Sequence, residues 1–197
     1  MTTPTTNPMA RLIDALAYAA EQHRDQRRKG AEAAPYINHP IALLRILSVE
    51  ADINDPDVLV AAALHDVIED CSGRQQEHLE QRRSEIHERF GPDVLALVEA
   101  LTDDKALPKP ERKRQQIEHA AHIPHKAKLV KLADKTANLR DIARCPPQHW
   151  EPERVDAYFD WAKQVIGQLR GTHAGLEAGF DAAAAGSCRN RAIRIWP

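Results

Sequence analysis

The sequence has few of the residues that mark disulfide scaffolds, membrane spans and β-rich folds. Aromatic residues make up 5%, glycines number 8 and cysteines 3 among 197 residues. Cys71, Cys145 and Cys188 are scattered and form no CxxC pair, which argues against a disulfide framework or a structural zinc site. The longest strongly apolar run, at 58–64, is far too short to cross a bilayer. We therefore expect a protein of the reducing cytoplasm with no membrane partner.

The charge of the chain excludes a second class of partner. The formal net charge of -2 at pH 7 gives no overall attraction to nucleic acid or anionic lipid. Because aromatic residues are also sparse, we expect no nucleic-acid partner. The first nine residues, MTTPTTNPM, lack the apolar stretch of a secretory signal. Any polyanionic ligand must therefore bind to a local basic cluster.

The residues that dominate the sequence favour helices. Alanine, leucine, glutamate, glutamine and arginine are abundant, and alternating β-branched runs are nearly absent, so we predict an all-α fold. The length suits one domain, which we place at 9–180, after a flexible segment at 1–8 and before a tail at 181–197. Periodicity and chain breakers predict helices at 9–23, 40–49, 56–70, 75–89, 92–101, 111–119, 126–142 and 153–170. The glycine-containing segment 171–179 is predicted to be only a weak helix end.

The segment LHDVIED, at 64–70, carries the strongest chemical signal. On a continuous helix His65 would face the same way as Glu69, and Asp66 the same way as Asp70. The apolar turn before them pulls these groups toward the interior, where charges are costly unless they are paired or bound to a cation. Imidazole and carboxylate ligands suit Mn, Fe, Zn or Co, so the segment predicts a divalent metal site.

Other pieces of the sequence fit the same site. The stretch PYINHP places His39 in a turn before an apolar helix. In the helix predicted at 126–142, Asp134 and Asn138 share one face with Lys131. The RRK cluster at 27–29 lies on a predicted loop, where its side chains could meet phosphate or simply form a solvated basic face.

Taken together, these pieces resemble the HD-type (p)ppGpp hydrolases, namely the hydrolase domain of the Rel/SpoT enzymes and the small metazoan-type alarmone hydrolases. The matching blocks are RRKG, PYINHP, HDVIED, LTDDKALPKPERKR, AKLVKLADKTANLRD and RVDAYFDWA, in this order from about residue 10 to residue 176. The resemblance implies a single HD-domain helical bundle. It also implies a metal-dependent 3′-pyrophosphohydrolase that converts (p)ppGpp to GDP or GTP plus pyrophosphate.

The resemblance assigns roles to individual residues. The ligands of one divalent ion, usually Mn²⁺ in this family, would be His39, His65, Asp66 and Asp134. The catalytic carboxylates, which would orient an activated water and move its protons, would be Glu69 and Asp70. The residues around the nucleotide and its phosphates would be Arg28, Lys29, Tyr36, Lys105, Asn138 and Arg154.

Simpler structural roles compete with several of these assignments. His65 could be a histidine satisfied within the core, and Tyr36 could serve only in packing. Lys105 and Arg154 could be plain exposed residues. The basic run at 109–114 is predicted to be a solvated helix start.

Two rival functions also stay open at this point. An HD-type site could hydrolyse another nucleotide, such as NADPH at its 2′-phosphate, because metal ligands do not select the substrate. The pocket could instead sense the alarmone without cleaving it, although the presence of Glu69 and Asp70 argues against this. The length leaves no room for the synthetase domain of larger relatives, so we expect hydrolysis alone. Both a monomer and a homodimer fit the sequence.

Overall fold

A computed structural model of the chain describes residues 7–30, 32–71 and 76–186. Within these ranges the fold consists of α-helices and one π-helical turn, with no β-strand, which confirms the all-α prediction. In chain order the elements are α1 (Pro8–Gln22), α2 (Asn38–Leu44), the π-helical turn (Arg45–Glu50), α3 (Pro56–Leu64), α4 (Val67–Cys71), α5 (Gln76–Phe90), α6 (Pro92–Leu101), α7 (Lys109–Ala120), α8 (His125–Arg144), α9 (Pro152–Gly167) and α10 (Ala174–Ala184).

Helix starts follow local capping chemistry. The Asn7 side chain accepts hydrogen bonds from the amides of Met9 and Ala10 at the start of α1. At the start of α3 the Asp55 side chain accepts hydrogen bonds from the amides of Asp57 and Val58, with proline at the first helical position. These caps fix where the two helices enter the core.

The centre of the fold is α3, in which every residue from 58 to 64 is buried. It packs against α1, α2, α6 and α8. Burial of seven consecutive apolar residues fixes this helix firmly, because each buried large aliphatic side chain contributes about 1.5–3 kcal/mol. The chemical motif at 65–70 follows directly from this anchored helix.

The helix predicted to continue to residue 70 is broken instead. Helix α3 ends at Leu64, the chain turns at His65 and Asp66, and α4 begins at Val67. The imidazole Nδ1 of His65 lies 2.8 Å from the carbonyl oxygen of Ala62, the oxygen that the Asp66 amide would bond in a continuous helix. The prediction that His65 and Glu69 share one helix face was therefore wrong.

A helix also replaces the weak helix end that was predicted at 171–179. Helix α10 begins after His173, whose side chain accepts a hydrogen bond from the Leu176 amide, and it packs against α8. Phe180 of this helix is fully buried, so α10 belongs to the core and crosses the predicted boundary at 180. The ends at 1–6 and 187–197 lie outside the described residues, and the flexible start and the tail stay predictions. No helix of the described part is long and apolar enough to span a membrane.

Candidate active site

Three separate elements bring potential metal ligands together. His39 lies at the start of α2, His65 follows α3, and Asp134 lies within α8; one ligand atom from each lies within 4.8 Å of the others. Both histidines are buried, at 2% and 5% exposure. Nε2 of His39 is 3.2 Å from Oδ1 of Asp134. This set, the His/Asp cluster, contains three of the four predicted ligands.

The fourth predicted ligand borders the His/Asp cluster. Oδ2 of Asp66 lies 2.9 Å from Nε2 of His65, although the angle does not make a hydrogen bond. The same carboxylate accepts a hydrogen bond from the Tyr36 hydroxyl. Asp66 is therefore held at the rim of the cluster by a residue that was expected only to contact substrate or to pack.

The donor set fits a divalent cation. Nε2 of His65 is buried and has no hydrogen-bond partner among the described residues, an arrangement that is costly without a ligand. Burial lowers the pKa of His65, but the negative charges of Asp66 and Asp134 outweigh it and raise the pKa to about 9. The two carboxylates therefore favour a positive charge at this point. A bound cation can supply that charge in place of a proton on His65.

Glu69 lies beside the cluster, in the middle of the short helix α4. Its Oε2 accepts a hydrogen bond from the Asp103 amide, and its Oε1 is 3.8 Å from both Lys105 and Arg112. Burial, followed by the charges of Asp66 and Asp103, raises the pKa of Glu69 to about 7. A carboxylate with a pKa near neutrality suits proton transfer in either direction.

Asp70 is held by partners on both of its oxygens. Lys105 donates to Oδ1, and Nε2 of Gln26 donates to Oδ2 over 2.7 Å. Lys105 was expected near the nucleotide, but it is bound to this carboxylate and does not line the cleft described next. Gln26 was not anticipated at all.

A cleft of about 540 Å³ opens over these groups, within the size range of small-molecule sites. Asp66, Glu69 and Asp70 lie along it. The predicted nucleotide-binding residues that line the cleft are Arg28, Lys29, Tyr36, Asn138 and Arg154.

Arg28 and Asn138 are linked to the His/Asp cluster. Nη2 of Arg28 donates to Asp141 over 2.8 Å and to Oδ1 of Asn138 over 2.9 Å. Nδ2 of Asn138 donates in turn to Oδ1 of Asp134 over 2.6 Å. Asn138 therefore orients a potential metal ligand, a contact of the kind that tunes metal affinity.

Helix α7 contributes a wall of the cleft that sequence reasoning missed. The basic run at 109–114 was predicted to be solvated, but Lys109, Arg112 and Lys113 line the cleft. Their spacing of three and four residues places them on one helix face, a signal that was present in the sequence. The sequence pattern alone does not distinguish a helix face that is exposed to solvent from one that lines a ligand cleft.

The fold and the buried His/Asp cluster define the class of protein. A family model described as the HD domain matches residues 15–158, so the chain belongs to the HD-domain family, as the sequence blocks predicted. Its relatives include proteins named guanosine-3′,5′-bis(diphosphate) 3′-pyrophosphohydrolase MESH1. The Homo sapiens protein is 53% identical over 168 residues, covering 85% of this chain and 89% of its own length. The Drosophila melanogaster protein is 51% identical over 176 residues, covering 89% and 94%.

A solved structure gives the same relationship. It comes from work on a metazoan ortholog of SpoT that hydrolyzes ppGpp and plays a role in starvation responses. The two chains share 46% identity with a TM-score of 0.83, over 98% of this chain and 100% of the other. The similarity therefore extends over the whole domain and is not confined to the HD motif.

Proposed function

We propose that this protein is a metal-dependent hydrolase that removes pyrophosphate from the 3′ position of guanosine-3′,5′-bis(diphosphate). The observation that carries this proposal is the buried His/Asp cluster, which lies next to Glu69 and Asp70 on a cleft large enough for a nucleotide. The names of the relatives support the choice of substrate. We place the enzyme in the cytoplasm, because the free thiols of Cys71 and Cys145 are compatible with a reducing environment.

The centre is proposed to hold one Mn²⁺ ion. A bound divalent ion supplies Lewis-acid chemistry: it lowers the pKa of water and offsets charge on a phosphate. Its proposed ligands are His39, His65, Asp66 and Asp134. Imidazole and carboxylate donors suit Mn, Fe, Zn or Co, and the choice of Mn²⁺ rests on the resemblance to the family.

Glu69 is proposed to accept the proton of the attacking water. The water oxygen forms a bond to the phosphorus that is attached to the ribose 3′-oxygen, and the bond from this phosphorus to the 3′-oxygen breaks. The 3′-oxygen takes up a proton, so the products are GDP and pyrophosphate. Asp70, fixed by Gln26 and Lys105, orients the water along the line of attack.

The experiment uses purified protein that has been stripped of metal and then supplied with Mn²⁺. Each protein is incubated with ppGpp, and the products are separated and quantified to measure turnover. The proteins compared are the wild type, Glu69→Gln and the control Glu77→Gln, which alters an exposed residue of α5. We expect Mn²⁺-dependent GDP and pyrophosphate from the wild type and the control. Glu69→Gln should lose activity by roughly a hundredfold or more, as is typical for loss of general-base catalysis.

Two results would overturn the proposal. The first is a folded, metal-loaded wild type that leaves ppGpp intact; parallel reactions with NADPH would then show whether the site cleaves a 2′-phosphate instead. The second is full turnover by Glu69→Gln, which would exclude the assigned role of this carboxylate while leaving the substrate assignment in place.

A further inference from the structure

Asp103 lies in the loop between α6 and α7 and joins Glu69 to the wall of the cleft. Its backbone amide donates to Oε2 of Glu69 over 3.2 Å. Among the described residues this is the sole hydrogen bond to the Glu69 side chain, because the nearest cations, Lys105 and Arg112, lie 3.8 Å from Oε1. The orientation of the Glu69 carboxylate therefore depends on where the loop holds Asp103.

The side chain of Asp103 is fixed in turn from α7. Nε2 of Gln116 donates to Oδ2 of Asp103. Because a carboxylate can only accept, the amide of Gln116 must present its nitrogen to Asp103. Both residues are half-buried and line the cleft. Gln116 thus ties the loop that carries Asp103 to a helix of the cleft wall.

The partner of Asp103 holds its carboxylate without cancelling the charge. The Gln116 amide is neutral, and no cation lies within ion-pair distance of Asp103 among the residues that the structure describes. The carboxylate of Asp70, by contrast, binds the ammonium group of Lys105. The negative charge of Asp103 is therefore available to act on Glu69.

Glu69 is surrounded by charges of both signs. Burial raises its pKa most, followed by the negative charges of Asp66 and Asp103. Asp66 is a proposed metal ligand, and a bound cation offsets its charge, whereas Asp103 keeps its charge. Asp103 therefore opposes the cations that favour the ionised form of Glu69. These cations are Lys105 from the loop before α7, Arg112 from α7 and the buried Lys131 from α8.

We propose that Asp103 is a positioning residue for Glu69 and that Gln116 holds Asp103 in this role. The amide of Asp103 orients the Glu69 carboxylate, and the charge of its side chain makes Glu69 a stronger base. This inference rests on the role proposed for Glu69 as the proton acceptor, and it deepens that role. It also separates two adjacent aspartates, since the side chain of Asp104 is exposed and accepts from the Ala106 amide.

The first test removes the charge and keeps the backbone amide. The pH profile of kcat for ppGpp is compared between the wild type, Asp103→Asn and the matched control Asp104→Asn. In Asp103→Asn the acidic limb should shift by about one pH unit to lower pH, because Glu69 loses a negative neighbour. The value of kcat above the limb should fall, because the base is weaker. An acidic limb at the wild-type pH would overturn the role of the charge.

The second test removes the anchor of Asp103. Gln116→Ala should lower kcat by about tenfold with little change in KM, because Asp103 loses its hydrogen bond to α7. The matched control Gln115→Ala alters the neighbouring glutamine, which bonds to Glu111, and should retain wild-type kinetics. In an Asp103→Ala background, Gln116→Ala should have no further effect on kcat. A rise in KM with unchanged kcat would overturn the positioning role and make Gln116 a substrate contact.

A measurement on metal-free protein separates this inference from the proposed function. Glu69→Gln should raise Tm above pH 7, where the buried Glu69 is ionised. In an Asp103→Asn background this rise should be smaller by roughly a third or more, because the ionised form is less unfavourable there. In the Asp104→Asn background it should be unchanged.

The outcome of this measurement does not depend on turnover. A smaller rise in Tm in the Asp103→Asn background would support the influence of Asp103 on Glu69 even if the wild type left ppGpp intact. An equal rise in both backgrounds would exclude that influence even if the wild type were fully active.

Discussion

Gln26 connects a buried histidine to the carboxylate of Asp70. Oε1 of Gln26 lies 2.7 Å from Nδ1 of His23, and Nε2 donates to Oδ2 of Asp70 over 2.7 Å. His23 is 3% exposed, and burial lowers its pKa, which favours the neutral form of the ring. Because the amide oxygen can only accept, Nδ1 of His23 carries the proton, and the amide is held with its donor toward Asp70.

The first prediction concerns Gln26 as a positioning residue. Gln26→Ala should lower kcat by about tenfold with little change in KM, because Asp70 loses one of its two anchors. The control Gln164→Ala alters an exposed glutamine and should retain wild-type kinetics. In the background of Asp70→Asn the effect of Gln26→Ala should largely disappear. Independent, multiplicative losses in the double variant would mean that Gln26 acts only on general stability.

The second prediction concerns pH and stability. The pKa of Glu69 is raised from 4.5 to about 7, so the folded state binds the proton more tightly than the unfolded state. The stability associated with this proton is complete below pH 4.5 and is lost as pH rises through 7. Glu69→Gln should therefore stabilise the metal-free protein by up to about 3 kcal/mol at pH 8 and by little at pH 4.5.

Urea unfolding of metal-free protein at several pH values measures this difference, with Glu118→Gln as an exposed control. If Glu69→Gln raised the free energy of unfolding by the same amount at every pH, the ionisation of the buried Glu69 could not be the cause.

The third prediction concerns metal binding. A ligand that binds only the folded state stabilises it, so Mn²⁺ should raise the Tm of the wild type. His65→Gln and Asp134→Asn should each reduce the Mn²⁺ content after reconstitution. Both variants should also lose the rise in Tm. His125→Gln alters an exposed histidine and should behave like the wild type. A normal metal content in both ligand variants would place the ion elsewhere.

The fourth prediction concerns the last described helix. Phe180 is fully buried in α10, so Phe180→Ala should lower the free energy of unfolding by about 3 to 5 kcal/mol. Ile13→Ala, at a residue that is 59% exposed, should change it by less than about 0.5 kcal/mol. Denaturant unfolding measures both. Equal effects of the two substitutions would mean that α10 is not part of the cooperative core.

The helices of this chain were largely predictable, because their caps and periodicity are local. The break at His65 was not, since a histidine side chain competes with a backbone amide for the oxygen of Ala62 only in the folded protein. Helix α10 was missed because its alanines and glycines give a weak apolar pattern. The burial of Phe180 that anchors it depends on packing against α8.

For the candidate site, the order of the sequence blocks indicated which residues meet. His39 and Asp134 are 95 positions apart, and their approach to 3.2 Å rests on resemblance to a family and not on spacing. Residues that act through others, such as Gln26, carry no motif of their own. The ion-pair partners of lysines are equally hidden in the sequence. Only the tertiary structure reveals that Lys105 pairs with Asp70, and it shows no carboxylate partner for Lys109 among the described residues.

In a molecule of net charge -2, the cleft is lined in part by the basic residues Lys29, Lys109, Lys113 and Arg154. These basic residues attract a highly charged nucleotide during its diffusional approach as well as after it has bound. Such guidance is screened over about 10 Å at 0.1 M salt. The second-order rate of capture should therefore fall with rising ionic strength, while the rate of the bound complex stays nearly constant. At low nucleotide concentration, the ionic strength of the surroundings should therefore affect the rate of turnover through the rate of capture.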